Sequence, residues 1–254
     1  MTVFAALKQV IETGDAAVVF TVVEGEPLGA KLLVRADGTT VGEGPGELAK
    51  EVPELIARGR SRIVEHEGRR FFADVFAPPP RLLVFGAVDT AEALCAAAKQ
   101  LGWRTIVADA RSRFATRERL PSADEIIVGW PPDAIAQVQP DARTAVVVLT
   151  HDEKFDVPAL QGVLATEAFY VGALGSRRAQ ASRRERLLEA GVPEADLDRI
   201  AGPCGLDIGA ESASETAISI LAEMLATRAG RDGGRLREAA GSIHVEPSEL
   251  TVQT

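Results

Sequence analysis

The sequence has few cysteines and no long apolar run. Its two cysteines, Cys95 and Cys204, are too few for a disulfide framework or a zinc cluster. No apolar run reaches the roughly 18 residues that a membrane-spanning helix needs. The amino terminus has neither the basic start nor the apolar core of a signal peptide. We therefore expect a cytoplasmic protein that does not associate with membranes.

The charge balance also excludes some partners. A net charge of −9 argues against general affinity for nucleic acids or anionic membranes. The hydrophobic content of 46% and the charged content of 26% are typical of a soluble globular protein. A local basic patch is still compatible with this charge, and Arg177, Arg178, Arg183, Arg184 and Arg186 would supply one.

The chain is predicted to belong to the α/β class and to contain two domains, divided by the prolines at 78–80. Residues 1–79 mix helical and strand-like patterns and predict a small α+β domain. Residues 80–229 alternate apolar strands with helices, which predicts a Rossmann-like, mostly parallel sheet. Residues 230–254 have little apolar periodicity and are predicted to be a flexible tail.

The second domain begins like a dinucleotide-binding unit. A strand at Arg81–Phe85 leads through Gly86 into a helix, and the next strand ends at Asp109. Asp109 follows Gly86 by 23 residues, close to where a ribose-binding carboxylate belongs. The glycine fingerprint is incomplete, however, because Val88 and Ala91 stand where glycines are required. This weakens the prediction of a nicotinamide cofactor bound in the usual way.

Polar residues follow the predicted central strand, Ala145–Leu149. Ligands bind at the carboxyl ends of strands in open α/β sheets. His151, Asp152 and Lys154 come directly after this strand, and they are therefore candidate ligand contacts.

A second candidate segment follows the strand at Phe169–Val171. Gly172 and Gly175 allow tight turns, and Ser176 can cap a helix. Arg177 and Arg178 then fall in the first helical turn, where the helix dipole favours acidic residues. A bound phosphate would resolve this conflict; the alternative is that both arginines simply point into solvent.

A third glycine-rich segment, Gly202–Ala210, leads into a helix with a capping box at Ser212 and Glu215. Gly205 and Asp207 therefore join the predicted ligand-binding edge. For Cys204 we expect a packing role rather than a reactive one.

These segments together resemble the XdhC/CoxI family, accessory proteins that mature molybdenum hydroxylases such as xanthine dehydrogenase. The resemblance covers residues 3–228. The matching segments are Val84–Ala87 (VFGA), Leu149–Asp152 (LTHD), Lys154–Asp156 (KFD), Tyr170–Arg178 (YVGALGSRR) and Gly205–Ala210 (GLDIGA).

The resemblance implies a homodimeric carrier that binds the molybdenum cofactor, molybdopterin, as cargo. Such carriers protect the cofactor, assist its sulfuration with a cysteine desulfurase, and help insert it into the molybdenum hydroxylase apoenzyme. Ser176, Arg177 and Arg178 could then hold the cofactor phosphate. The pterin or oxo groups could contact His151, Asp152, Lys154 and Asp207. No catalytic residue and no metal ligand of the protein is assigned.

The sequence departs from the family pattern at one place. Longer members carry a Ser-Gly-Gly-Cys segment in the amino-terminal domain, whereas residues 42–47 here contain no cysteine. Cofactor storage without direct sulfur transfer is then favoured. Two alternatives stay open: an NAD(P)-dependent oxidoreductase using Asp109 and His151, and a scaffold whose polar cluster is structural.

Overall fold

A computed structural model describes residues 1–150 and 152–240. The chain forms two compact units: the first comprises Met1–Pro78 together with residues 234–240, and the second comprises Pro79–Gly233. Among the described residues, no helix is both long and apolar enough to cross a lipid bilayer.

The first unit contains a five-stranded antiparallel sheet. Its strands are β1 (Ala17–Glu24), β2 (Lys31–Arg35), β3 (Thr40–Gly42), β4 (Arg62–His66) and β5 (Arg69–Phe76). They lie in the order β3-β2-β1-β5-β4. Helix α1 (Val3–Thr13) packs on one face, while a 3₁₀ turn (Gly46–Glu51) and α2 (Val52–Arg58) pack on the other. Pro53 lies in the first turn of α2, where its missing N–H costs no hydrogen bond.

The second unit contains a six-stranded parallel sheet with helices on both faces. Its strands are β6 (Arg81–Phe85), β7 (Arg104–Asp109), β8 (Glu125–Val128), β9 (Thr144–Val148), β10 (Tyr170–Ala173) and β11 (Ile200–Ala201). Its helices are α3 (Asp89–Gln100), α4 (Pro131–Val138), α5 (Glu153–Leu164), α6 (Arg177–Glu189), α7 (Glu194–Leu197) and α8 (Ala213–Ala229). The strand order β11-β10-β9-β6-β7-β8 is that of a dinucleotide-binding fold.

Side-chain alternation along the strands builds the two cores of this unit. In β6, Leu82 and Val84 belong to the core that contains residues of α3 and α8. Leu83 and Phe85 belong to the opposite core, with residues of α4, α5 and α6. Successive side chains of a strand point to opposite faces, so an uninterrupted apolar run fills both layers. The predicted fold class, a Rossmann-like parallel sheet with a separate α+β unit, is confirmed.

Three short elements of the second unit were not predicted: α4, α7 and β11. Helix α4 begins at Pro131-Pro132, a pair that by itself indicates a loop. Proline is well tolerated in the first helical turn, because the amides there have no intrahelical partner. The predicted tail from residue 230 begins at Gly230, the left-handed cap of α8, and residues 241–254 of it lie outside the described part of the chain.

Candidate functional site

The candidate site lies along the carboxyl edge of the parallel sheet. Phe85 pairs with Val148, and Val148 pairs with Ala173, so β6, β9 and β10 end at the same level. Neighbouring strands are about 4.8 Å apart. The segments after these strands, which the sequence singled out separately, are therefore neighbours. β6 and β9 flank the point at which the strand order reverses, where ligands bind in this fold.

Gly86 allows the segment after β6 to contact the segment after β9. Its φ is +111°, and a Cβ atom there would lie 3.0 Å from Thr150 Cγ2 and 3.3 Å from the Thr150 amide nitrogen. A glycine is therefore required for the approach of the protein's own backbone. Packing within the protein therefore explains the glycine at this position without a ligand.

The carboxylate of Asp109 is buried and already hydrogen-bonded. Its Oδ1 accepts bonds from the amide and the Nε of Arg111, each at 2.9 Å, and its Oδ2 accepts from a terminal guanidinium nitrogen of Arg111 at 2.7 Å and from the Ala87 amide at 2.8 Å. Burial alone would raise the pKa of Asp109, but these bonds outweigh it and hold the pKa below its usual range. A ribose would have to compete with Arg111, which weakens the nicotinamide hypothesis further.

We expect Asp109→Asn to lower the free energy of unfolding by about 1.5–3 kcal/mol at neutral pH, because charge-assisted bonds are lost. The native pKa is depressed, so the carboxylate's stabilisation is present above the unfolded-state pKa of about 3.9 and is lost as the pH falls through the native value. Urea unfolding of both proteins from pH 7 to pH 3 measures this. A stability difference that does not shrink below about pH 4 would contradict the assigned role of the charge.

The segment after β9 presents opposite charges to solvent. Asp152 caps α5 by accepting the Lys154 amide at 3.3 Å. Lys154 Nζ lies 3.2 Å from the Asp152 carboxylate, with the two side chains 63% and 51% exposed. Ion pairs this exposed add little stability, so both groups are available to a ligand. His151, the third predicted contact here, lies outside the described residues.

Arg177 and Arg178 occupy the first turn of α6. Ser176 caps this helix by accepting the Ala179 amide at 3.2 Å, and the first turn contains no acidic residue. Both arginines are exposed, and no described residue forms an ion pair or a side-chain hydrogen bond with either. The first amides of a helix have no intrahelical acceptor. Two cations that no described residue pairs thus stand at a helix start, an arrangement that suits the predicted anion site.

Two predicted glycines are explained by packing within the chain. Gly172 lies inside β10, and a Cβ atom there would lie 2.6 Å from the Tyr170 ring. Gly205 has a φ of +107°, and a Cβ atom there would overlap Ser219 Oγ on α8. Ligand contact at these two positions stays a prediction.

Glu223 of α8 fixes the glycine-rich segment Gly202–Ala210. One of its carboxylate oxygens accepts the Tyr170 hydroxyl at 2.5 Å and the Gly205 amide at 2.7 Å. Asp207 follows this anchored turn, is exposed, and makes no hydrogen bond or ion pair with the described residues. Its carboxylate therefore has no partner among the described residues that a ligand would have to displace.

Cys204 is buried beside this anchor. Burial, together with the Glu223 carboxylate, raises the pKa of its thiol to about 12. Burial likewise raises the pKa of Cys95 to about 12. Since the thiolate is the nucleophile, neither cysteine has the properties of a sulfur-transfer residue.

We expect no rapid alkylation of either thiol by iodoacetamide at pH 8 in the native protein, and modification of both in urea. Mass spectrometry after timed quenching checks this. Fast incorporation of one label into native protein, mapped to Cys204, would restore the reactive interpretation of that residue.

Sequence reasoning missed a buried ion pair beneath the segments that follow β9 and β10. Arg183 of α6 donates to Asp156 of α5 at 2.9 Å, and both side chains are 5% exposed. A signal was present, because Asp156 is three, four and seven residues before the buried Ala159, Leu160 and Val163. That spacing places a carboxylate on the apolar face of the helix.

Comparison with known proteins identifies the second unit. The model of the XdhC Rossmann domain matches residues 82–224. The chain belongs to the XdhC family.

Other relatives of this XdhC-family chain agree. A protein of Bacillus subtilis described as a probable xanthine dehydrogenase component is 34% identical over 62% of this chain and 46% of the relative. The molybdenum cofactor insertion chaperone PaoD of Escherichia coli is 28% identical over 89% of this chain and 88% of the relative. A crystal structure described as a xanthine dehydrogenase from Bacillus halodurans matches with a TM-score of 0.65 and 25% identity, covering 94% of this chain and 67% of that one.

The chain spans less than half the length of two of the curated relatives, the Bacillus subtilis protein and an uncharacterised Escherichia coli protein, YqeB. No group of three or more histidine, cysteine, aspartate or glutamate side chains that could hold a metal ion occurs in residues 1–150 and 152–240.

Proposed function

We propose that this chain binds the molybdenum cofactor as cargo and delivers it to a molybdenum hydroxylase apoenzyme. The XdhC family membership and the PaoD relative support a role in molybdenum cofactor maturation. The observation that carries the binding proposal is the pair of arginines, Arg177 and Arg178, in the first turn of α6, which have no charged partner among the described residues.

The proposed cargo fits the chemistry of this edge. Molybdopterin carries a phosphate at one end, and the Ser176 helix start with its two guanidinium groups supplies donors and charge for it. Asp152, Lys154 and Asp207 supply exposed acceptors and a donor for the pterin and oxo groups. His151 belongs to the same proposal by its place in the sequence.

The finer features of the proposal concern handling of the cargo. Bound at this edge, the cofactor is protected during transfer, and a cysteine desulfurase supplies the sulfur for its sulfuration. The high pKa of Cys204 supports an external sulfur source over one of the chain's own thiols. We also propose a cytoplasmic homodimer.

The test compares cofactor retention in wild type and in Arg177→Ala/Arg178→Ala. Both proteins are purified from a host that makes molybdenum cofactor, and molybdenum and oxidised pterin are measured per chain. We expect a loss of about a hundredfold, since each of the two charge-assisted contacts contributes about 1.5 kcal/mol. The matched control is Arg235→Ala/Arg237→Ala, which removes two exposed arginines that pair with Glu238. Equal pterin content in all three folded proteins would refute the assigned phosphate site.

The strand order favours a second candidate, an NAD(P)-dependent oxidoreductase, because the same order binds dinucleotides. The engagement of Asp109 by Arg111 opposes it. Calorimetric titration with NADH and NADPH separates the two candidates. We expect no saturable heat; micromolar binding without pterin retention would favour the oxidoreductase.

A further inference from the structure

The buried ion pair between Asp156 and Arg183 connects two segments of the candidate site, the one that follows β9 and the one that follows β10. Asp156 Oδ1 accepts the Thr150 hydroxyl, directly before His151. The nitrogen of Arg183 that reaches Asp156 at 2.9 Å also donates to the Leu174 carbonyl at 3.1 Å, directly before Gly175. One pair of charges thus holds both the segment after β9 and the backbone of the segment after β10.

Gln180 extends this connection. Its side-chain oxygen accepts from the second terminal nitrogen of Arg183, and its amide nitrogen donates to the Ala173 carbonyl at 2.9 Å. A Cβ atom at Gly202 would lie 2.6 Å from the same Gln180 oxygen. The network therefore reaches the start of the third segment as well.

This arrangement is a costly way to stabilise a core. Both charges are almost fully removed from water, and a buried pair recovers its desolvation cost only with good geometry and fully satisfied donors. The Nε of Arg183 is buried and has no partner among the described residues. An apolar pair of similar volume could fill the same space without that cost, so stability alone does not account for the charges.

We infer that Asp156 and Arg183 are positioning residues that fix the spacing between Asp152 and Lys154 on one side and Arg177 and Arg178 on the other. The inference rests on the proposed function, because that spacing matters for a ligand that touches both segments. The pair is buried and lies under the site, so it acts through the loops and does not contact the cargo.

The test replaces both charges together, in Asp156→Leu/Arg183→Met, so that no unpaired charge stays buried. Pterin content per chain is measured after purification from the cofactor-making host, with the thermal midpoint recorded for the same samples. We expect the pterin content to fall at least tenfold while the midpoint stays within a few degrees of wild type. Full pterin retention by the folded double variant would overturn the inference.

A second readout does not depend on the cargo. We expect faster amide hydrogen exchange in residues 149, 150, 152–154 and 173–178 of the double variant, and unchanged exchange in residues 205–211, which Glu223 and Ser219 anchor. Unchanged exchange in both segments would overturn the inference even if wild type retains no pterin. Pterin-free wild type with faster exchange in the variant would instead refute the proposed function and leave the positioning role supported.

Arg183→Lys guards against a double variant that does not fold. It keeps the charge facing Asp156 but removes the guanidinium fork that reaches Leu174 and Gln180 at once. We expect intermediate pterin content and faster exchange confined to residues 173–178. Wild-type behaviour in both measurements would count against Arg183 as the positioning group.

Discussion

Arg183→Met is expected to lower the free energy of unfolding by about 3–5 kcal/mol, because it leaves the buried carboxylate of Asp156 without its cation. The two side chains are each 5% exposed and lie 2.9 Å apart, so water cannot readily replace the lost partner. The Leu174 carbonyl and the Gln180 side chain lose donors in the same change. Urea unfolding followed by circular dichroism measures the effect.

The control for this prediction is the double replacement, Asp156→Leu/Arg183→Met. Replacing Asp156 as well removes the carboxylate that Arg183→Met leaves unpaired. The double variant should therefore be more stable than Arg183→Met alone. The double-mutant cycle then gives a favourable coupling energy between the two residues. Additive losses would show that the charges do not interact as their geometry indicates.

The fold was predictable because its signals are local. Apolar runs such as Ala145–Leu149 and the glycine and proline breaks between them mark strands and helices along the chain. The ion pair is a different case, since Asp156 and Arg183 are 27 residues apart and lie on separate helices. The sequence shows that Asp156 falls on the apolar face of α5, but not which cation meets it there.

The glycines of the candidate site show a second limit. Gly86, Gly172 and Gly205 belong to the predicted ligand-binding edge, and Thr150, Tyr170 and Ser219 of the protein lie close to where a Cβ atom would stand. A sequence shows that a Cβ atom is absent. It does not show whether a ligand or a neighbouring side chain takes the vacated volume, because that neighbour can come from a distant element, as Ser219 does from α8.

Asp109 illustrates the opposite situation. Its partner Arg111 is only two residues away in the sequence, so the ion pair is a local signal. The fingerprint spacing, however, predicts a ribose contact for the same carboxylate. Arg177 and Arg178 were placed correctly at a helix start, because the conflict between their charge and the helix dipole is itself a local signal. Their role in binding the cargo stays a prediction.

Gly205→Ala is expected to destabilise the protein by about 2–5 kcal/mol. The φ of +107° is outside the range that alanine adopts without strain, and the new methyl group would overlap Ser219 Oγ. Ser219 cannot turn away freely, because it is buried and donates to the Leu206 carbonyl at 2.6 Å. The backbone nitrogen of Ile220, 3.3 Å from the added atom, blocks movement of the loop in the same direction.

The matched control in the same loop is Gly209→Ala. Gly209 also has a positive φ, +70°, but no atom lies within 4 Å of a Cβ added there. This variant should therefore lose only the backbone contribution, about 1–2 kcal/mol. The difference between the two variants isolates the steric conflict with α8, and chemical unfolding of both under the same conditions measures it. Equal losses would mean that the loop moves away from Ser219 at little cost, in which case Glu223 and Ser219 would not hold Asp207 at the edge where the cargo is proposed to bind.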